Sequence, residues 1–160
     1  MHVLTAAHCI TGFRTSDNPS DYEVWAGQHT IDPRDGNKIK VCHISSWENF
    51  SSWNLDNDFG VLHLSSHVIL TDLVSVACLP DKTMGGNFLV GKVLTVSGWG
   101  LGSGNVLHSV QYLGQNNAFC QTLWSKETRF PMNITKNMLC AGNPYPNDKS
   151  HCRGDSGGKL

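Results

Sequence analysis

The segment Gly154-Asp155-Ser156-Gly157-Gly158 has the residue types and spacing of a turn built to expose a nucleophile. Glycines on both sides of a serine let the backbone bend through conformations that side chains resist, which presents the hydroxyl outward with N–H groups beside it. A serine so placed can attack a carbonyl carbon. The N–H groups of Gly154 and Ser156 can then donate to the oxyanion that forms, a single donor being worth about 3 kcal/mol in the transition state. The plainer alternative is a Gly/Ser-rich surface turn, but five specified residues in this order seldom arise by chance.

A serine hydroxyl is a weak nucleophile unaided, so a base and a group to orient that base must come from elsewhere in the chain. Leu4-Thr5-Ala6-Ala7-His8-Cys9 sets a histidine among small residues that permit close packing, beside a cysteine able to anchor the loop. His8 is the base candidate. The histidines at His2, His29, His43, His63, His67 and His108 lack such a context and read as solvated or strand residues. In Asn57-Asp58-Phe59-Gly60-Val61-Leu62-His63-Leu64 one carboxylate stands at the entrance of an apolar strand, where burial can hold it ionised to accept a hydrogen bond from an imidazole N–H. Asp58 is the orienter candidate, against the alternative of a simple turn aspartate.

These three positions must be held by a folded scaffold, and the composition allows one. A chain of 160 residues can bury roughly 70% of the surface its unfolded form exposes. Apolar residues make up 39% and charged residues 16%, far from the balance that keeps chains disordered. The 12 Lys and Arg against 13 Asp and Glu leave a net charge of −1, with no electrostatic footprint for nucleic acid or for an anionic membrane. No apolar run approaches the ~18 residues of a membrane span. Six cysteines, Cys9, Cys42, Cys78, Cys120, Cys140 and Cys152, include no CxxC pair, which argues against zinc ribbons and for an oxidising, extracytoplasmic compartment. The acceptor triplets Asn49-Phe50-Ser51 and Asn133-Ile134-Thr135 make Asn49 and Asn133 glycosylation candidates and point the same way. No secretory signal is visible at the N-terminus.

The pattern along the chain is all-β. Tyr22–Ala26, Lys38–Ile44, Gly60–Leu64, Lys92–Ser97, Val106–Leu113 and Asn137–Cys140 are short, often alternating runs bounded by Gly, Pro, Asn or Ser, and each predicts a strand. One short helix is predicted over 117–127, where Ala118, Leu123 and Trp124 share a face, and a short turn after Ala6. Glycines and a proline cluster over 80–91, so a β-rich unit over 1–80 and a second over 92–160 are expected, joined by a linker at 81–91.

The candidates run in the order His, Asp, Ser, that of the chymotrypsin arrangement. Taken with Ser97-Gly98-Trp99-Gly100 and Asn137-Met138-Leu139-Cys140-Ala141-Gly142, they closely resemble the trypsin/chymotrypsin family of serine endopeptidases over essentially the whole chain. The resemblance implies two six-stranded antiparallel β-barrels with His8 and Asp58 from the first and Ser156 from the second. It implies acyl-enzyme hydrolysis of peptide bonds, with protein or peptide substrates and proteinaceous inhibitors as partners, and a secreted monomer. It also implies no cofactor. The loop from Gln28 to Gly36, which binds calcium in some members, opens here on Gln28 where an acidic ligand is expected, so no metal is predicted. A catalytically silent homologue that binds or regulates is the competing expectation.

Two such barrels take more than about 200 residues, so the 160 residues are expected to be an internal portion of the domain, truncated at both ends and inactive by itself. In active members the counterpart of Asp155 pairs with a freed terminal amine, and without that amine Asp155 is expected to stay solvated. The resemblance implies a disulfide between Cys120 and Cys140, and gives Cys9 and Cys152 partners beyond the chain; Cys78 falls where some members tether a propeptide. The resemblance also implies that Ser150 lies at the base of the primary specificity pocket, where a neutral residue is expected to favour apolar or aromatic substrate side chains as in chymotrypsin-like and elastase-like enzymes, with the bulk of His151 beside it expected to make the pocket shallower. Lys159 and His2 stand where Pro and Trp are usual.

Overall fold

Alternation decides the first sheet. In Gly60–Leu64 (β4) the residues Gly60, Leu62 and Leu64 are buried while Val61 and His63 are only half-buried, so one face of the strand is sealed. The structure is a computed structural model that describes residues 1–12, 15–32, 37–81, 84, 86–101, 104–126, 133–142 and 153–159. His2–Thr5 (β1), β4, Asn37–Ser46 (β3) and Glu23–Ala26 (β2) form one antiparallel sheet in the order β1-β4-β3-β2. Val93–Gly98 (β5), His108–Gln115 (β6) and Cys140–Gly142 (β7) form a second, in the order β5-β6-β7. The all-β expectation holds: among the described residues there are two curled antiparallel sheets and one α-helix, Asn117–Trp124 (α1).

The core of the first sheet is Ile10, Ile39, Val41, Leu62 and Leu64, with Val3, Tyr22, Val24, Ala26, Ile44 and Val68 packed around it. Burying each large aliphatic side chain contributes about 1.5–3 kcal/mol. An irregularity in β3 keeps that core continuous: Val41 pairs with Leu64 and Ile44 with Leu62, so β3 spends one residue more than β4 between the two pairs. This bulge reverses the alternation of β3, turning Ile44 to the core and leaving His43 exposed beside Cys42.

The second sheet is tied to the helix by the Cys120–Cys140 disulfide, as expected. Asn116 caps α1 by accepting from the Ala118 N–H. Asn117 donates to the carbonyls of Thr135 and Met138, which binds the segment preceding β7 to the helix. None of the α1 residues is buried, so the face shared by Ala118, Leu123 and Trp124 is not a core face. The two halves also meet where Thr30 bridges Val106, with Ile31 N–H donating to Asn105 and Leu107 N–H to His29.

Most predicted strands are found within two residues of their expected ends. The strand expected at Asn137–Cys140 instead begins at Cys140, and β1 was not predicted. Within the expected linker, Gly86–Leu89 forms a single 3-10 turn that packs on β6, Gly91 donating to the carbonyl of Gly114. Ser150, His151, Cys152, Asp35 and the end of the predicted helix at Glu127 lie outside the described residues.

Candidate active site

The last rung of the β1–β4 ladder pairs Thr5 with Gly60. Beyond Thr5 the chain turns through the single 3-10 turn Ala7–Cys9, whose Ala7 is fully buried, and this turn carries His8. Asp58 stands two residues before Gly60. Both side chains therefore leave the same end of one strand pair, and they meet. Asp58 Oδ2 lies 2.6 Å from His8 Nδ1, and Asp58 Oδ1 accepts the backbone N–H of His8 at 2.8 Å. A carboxylate only accepts, so the bond to Oδ2 puts a hydrogen on Nδ1 and leaves Nε2, on the other side of the ring, to act as a base. The side chains are 34% and 20% exposed, open enough for a substrate to reach the imidazole and closed enough to hold it.

The serine segment approaches from the second sheet. Gly157, at φ +80°, lies against Thr5, Ala6 and Cys9 so closely that an added Cβ would stand 3.1 Å from the Ala6 nitrogen. The Ser156 carbonyl accepts from the Cys9 thiol at 3.6 Å, and the same sulfur lies 3.6 Å from His8 Nε2. Cys9 thus links the imidazole to the serine turn, a position its sequence neighbours do not reveal. Burial, and after it the Asp58 charge, pushes its thiol above the ordinary range. Ser156 itself is exposed.

Asp155 overturns one expectation. Its carboxylate is half-buried, not solvated: Oδ1 accepts the Gly100 N–H at 2.8 Å, and the carboxylate fills the space that a Cβ on Gly98 or Gly100 would take. Trp99 stands between those bare positions and donates its indole N–H to the His29 carbonyl. Gly154, at φ +102°, packs against Gly100, while Leu101 donates to the Arg153 carbonyl and Gly158 to that of Asp155. The turn that bears Ser156 is therefore seated on residues 97–101. The glycines around Trp99 were the available signal, since a bare backbone in a strand marks a close approach.

A cavity of about 350 Å³ opens beside Asp58, lined by Trp47, Asn57, Asp58, Phe59 and Asn137. Among the described residues no three His, Cys, Asp or Glu side chains are grouped so as to hold a metal ion. In the loop that opens on Gln28, the Gln28 amide donates to the Asp32 carbonyl. No described helix is long and apolar enough to cross a membrane.

The trypsin family model matches residues 1–160. The chain is 34% identical to a chymotrypsin of Phaedon cochleariae over 163 residues, covering 99% of this chain and 55% of that protein. It is 32% identical to an anionic trypsin of Canis lupus familiaris, covering 99% of this chain and 60% of the relative. It is 31% identical to clotting factor C of Tachypleus tridentatus, again over 99% of this chain but 16% of that longer protein. The chain thus spans little more than half the length of the chymotrypsin and trypsin relatives.

Proposed function

Because this chain belongs to the trypsin family of serine proteases, we propose that the protein carrying it is a serine endopeptidase in which Ser156 is the nucleophile, His8 the general base and Asp58 the orienter. The observation that supports this most directly is the double grip of Asp58 on His8, with the Ser156 turn packed against the same Thr5–Cys9 segment. Ser156 Oγ attacks the scissile carbonyl while His8 Nε2 takes its proton, and Asp58 fixes the tautomer and stabilises the imidazolium. The N–H groups of Gly154 and Ser156 receive the developing oxyanion, His8 returns the proton to the leaving amine, and water releases the acyl group by the reverse sequence.

Specificity follows from Ser150. With no negative charge at the pocket base, cleavage after Arg or Lys is disfavoured and apolar or aromatic residues are preferred. Protein substrates, proteinaceous inhibitors and export to an oxidising compartment belong to the same reading, the last supported by the Cys120–Cys140 disulfide.

A fluorophosphonate probe tests the chemistry. The full-length, activated protein is expected to be labelled, and Ser156→Ala to abolish labelling; a folded wild-type protein that resists the probe would instead support a silent binding homologue. A peptide-library profile dominated by Arg or Lys at the cleaved position would overturn the assignment of Ser150.

A further inference from the structure

Both oxygens of Asp58 are engaged by His8, so the aim of that carboxylate is set by the backbone that carries it. The backbone there is unusual. Leu55 and Asn57, neither of them glycine, both adopt φ +55°, a left-handed conformation that persists only where the surroundings enforce it. Between them lies Asp56, whose carbonyl accepts the Ser51 N–H and closes the turn, and whose side chain reaches out of the first sheet altogether.

Asp56 Oδ1 accepts from the Thr135 hydroxyl at 2.6 Å, from Asn137 Nδ2 at 3.1 Å and from the Asn57 N–H at 3.1 Å. Asn137 Nδ2 also lies 3.2 Å from Asn57 Oδ1, so Asp56 and its neighbour Asn57 share one donor. Thr135 and Asn137 are themselves anchored. Asn117 of α1 binds the Thr135 carbonyl, Gln121 accepts the Ile134 N–H at 2.6 Å, and the Cys120–Cys140 disulfide closes the segment onto the helix. A braced part of the second half therefore holds the turn that ends in Asp58, while Ser156 is also carried by the second half.

We infer that Asp56 is a positioning residue, whose carboxylate, clasped by Thr135 and Asn137, sets the aim of Asp58 at His8 and registers that pair against the half of the molecule that carries Ser156. The inference rests on the catalytic reading above. In support, the Thr135 hydroxyl, ahead of the bonds from Asn137 and the Asn57 N–H, holds the Asp56 carboxyl below the usual range, as expected of a carboxylate kept charged by its donors.

The test compares Asp56→Ala, Thr135→Val and Thr135→Ser in the full-length activated protein. All three are made in an Asn133→Gln background, because Thr135 completes the glycosylation triplet. Two readouts are taken: the strongly deshielded proton NMR signal of His8 Nδ1–H, and kcat and KM for a small ester with the pH profile of kcat/KM. Misplacement of a catalytic group by about 1 Å can cost 10²-fold. Asp56→Ala and Thr135→Val are expected to lower kcat about tenfold or more with KM within about twofold, to move the acid limb of the profile, and to shift the His8 proton signal. Thr135→Ser, which keeps the hydroxyl, is expected to restore all three. If Asp56→Ala does not fold, Thr135→Val decides. Folded variants with the wild-type proton signal and wild-type kcat overturn the inference. A background protein without turnover refutes the catalytic reading instead, and the proton signal, which needs no turnover, still decides the role of Asp56.

Discussion

Gly60→Ala is the most demanding single test of how this fold holds His8 against Asp58. A Cβ at Gly60 would stand 2.5 Å from Ile10 Cδ1 and 3.2 Å from Ile10 Cγ1, well inside the 3.4–4 Å of ordinary contact, and 3.4 Å from the Ala7 Cα. Ile10 is 2% exposed and has nowhere to retreat. Replacing glycine within a strand by alanine would gain about 0.5–1 kcal/mol in backbone entropy. Overpacking a closed core costs about 1–3 kcal/mol, so the clash wins. The expected net loss lowers Tm by about 2–4 °C for each kcal/mol in a chain of this size. The same contact pushes the Ala7–Cys9 turn away from β4, so kcat falls further than stability alone explains. Urea unfolding of the wild type, Gly60→Ala, Ile10→Val and the double mutant isolates the cause. Ile10→Val alone costs about 0.5–1.5 kcal/mol, but in the Gly60→Ala background it removes the clashing methyl, giving a favourable coupling of about 1–2 kcal/mol. A Gly60→Ala protein as stable as wild type, or an additive double mutant, would refute the packing argument.

Three further outcomes are expected. Asp58→Asn leaves the shape of the site intact but reverses the bond that sets the His8 tautomer, so kcat should fall by about 10⁴, the loss known for this constellation, with the fold unchanged by circular dichroism. Replacing Cys120 and Cys140 together by alanine frees a loop of sequence separation 20 and should cost roughly 3 kcal/mol in urea unfolding. His63 is held below the ordinary imidazole value of 6.5 first by burial and then by the rings of His2 and His43. The unfolded chain therefore takes up that proton first as pH falls, so stability is complete above about pH 6.5 and is lost progressively below it, until the depressed folded value is passed. His63→Gln should flatten that part of the stability profile.

The local patterns that the sequence displays openly were those that a single strand or turn can express by itself. Gly60–Leu64 was read to the residue because burial on one face stamps period two on it. The short β1 was missed because Met1 to Thr5 has no bounding turn signal and is a strand only by virtue of pairing with β4. Cys140–Gly142 ends in residues that look like a turn, and it is the ladder to β6 that makes them a strand. His8, Asp58 and Ser156 were legible as types in context, but the meeting of Asp58 with His8 was not, since the two are 50 residues apart. The same separation hid the seat of Asp155 on Gly98 and Gly100, 55 residues away from Gly100, and the clasp of Asp56 by Thr135, 79 residues on. Contacts of that range are written in the tertiary fold, and single-chain periodicity carries no trace of them.

The pairing of Thr5 with Gly60 has a consequence for how errors are caught. If β4 slid one residue along β1, Val61 and His63 would turn inward and Leu62 and Leu64 outward, since strand faces alternate residue by residue. An imidazole would be buried and two leucines exposed, each leucine forfeiting about 1.5–3 kcal/mol. Asp58 would at the same time travel about 3.3 Å along the strand, out of reach of His8. A molecule in which His8 and Asp58 are out of step is thus also one whose interior does not close. The apolar face of β4 serves as a proofreader for spacing it never touches, so selection for stability alone protects the alignment of His8 with Asp58.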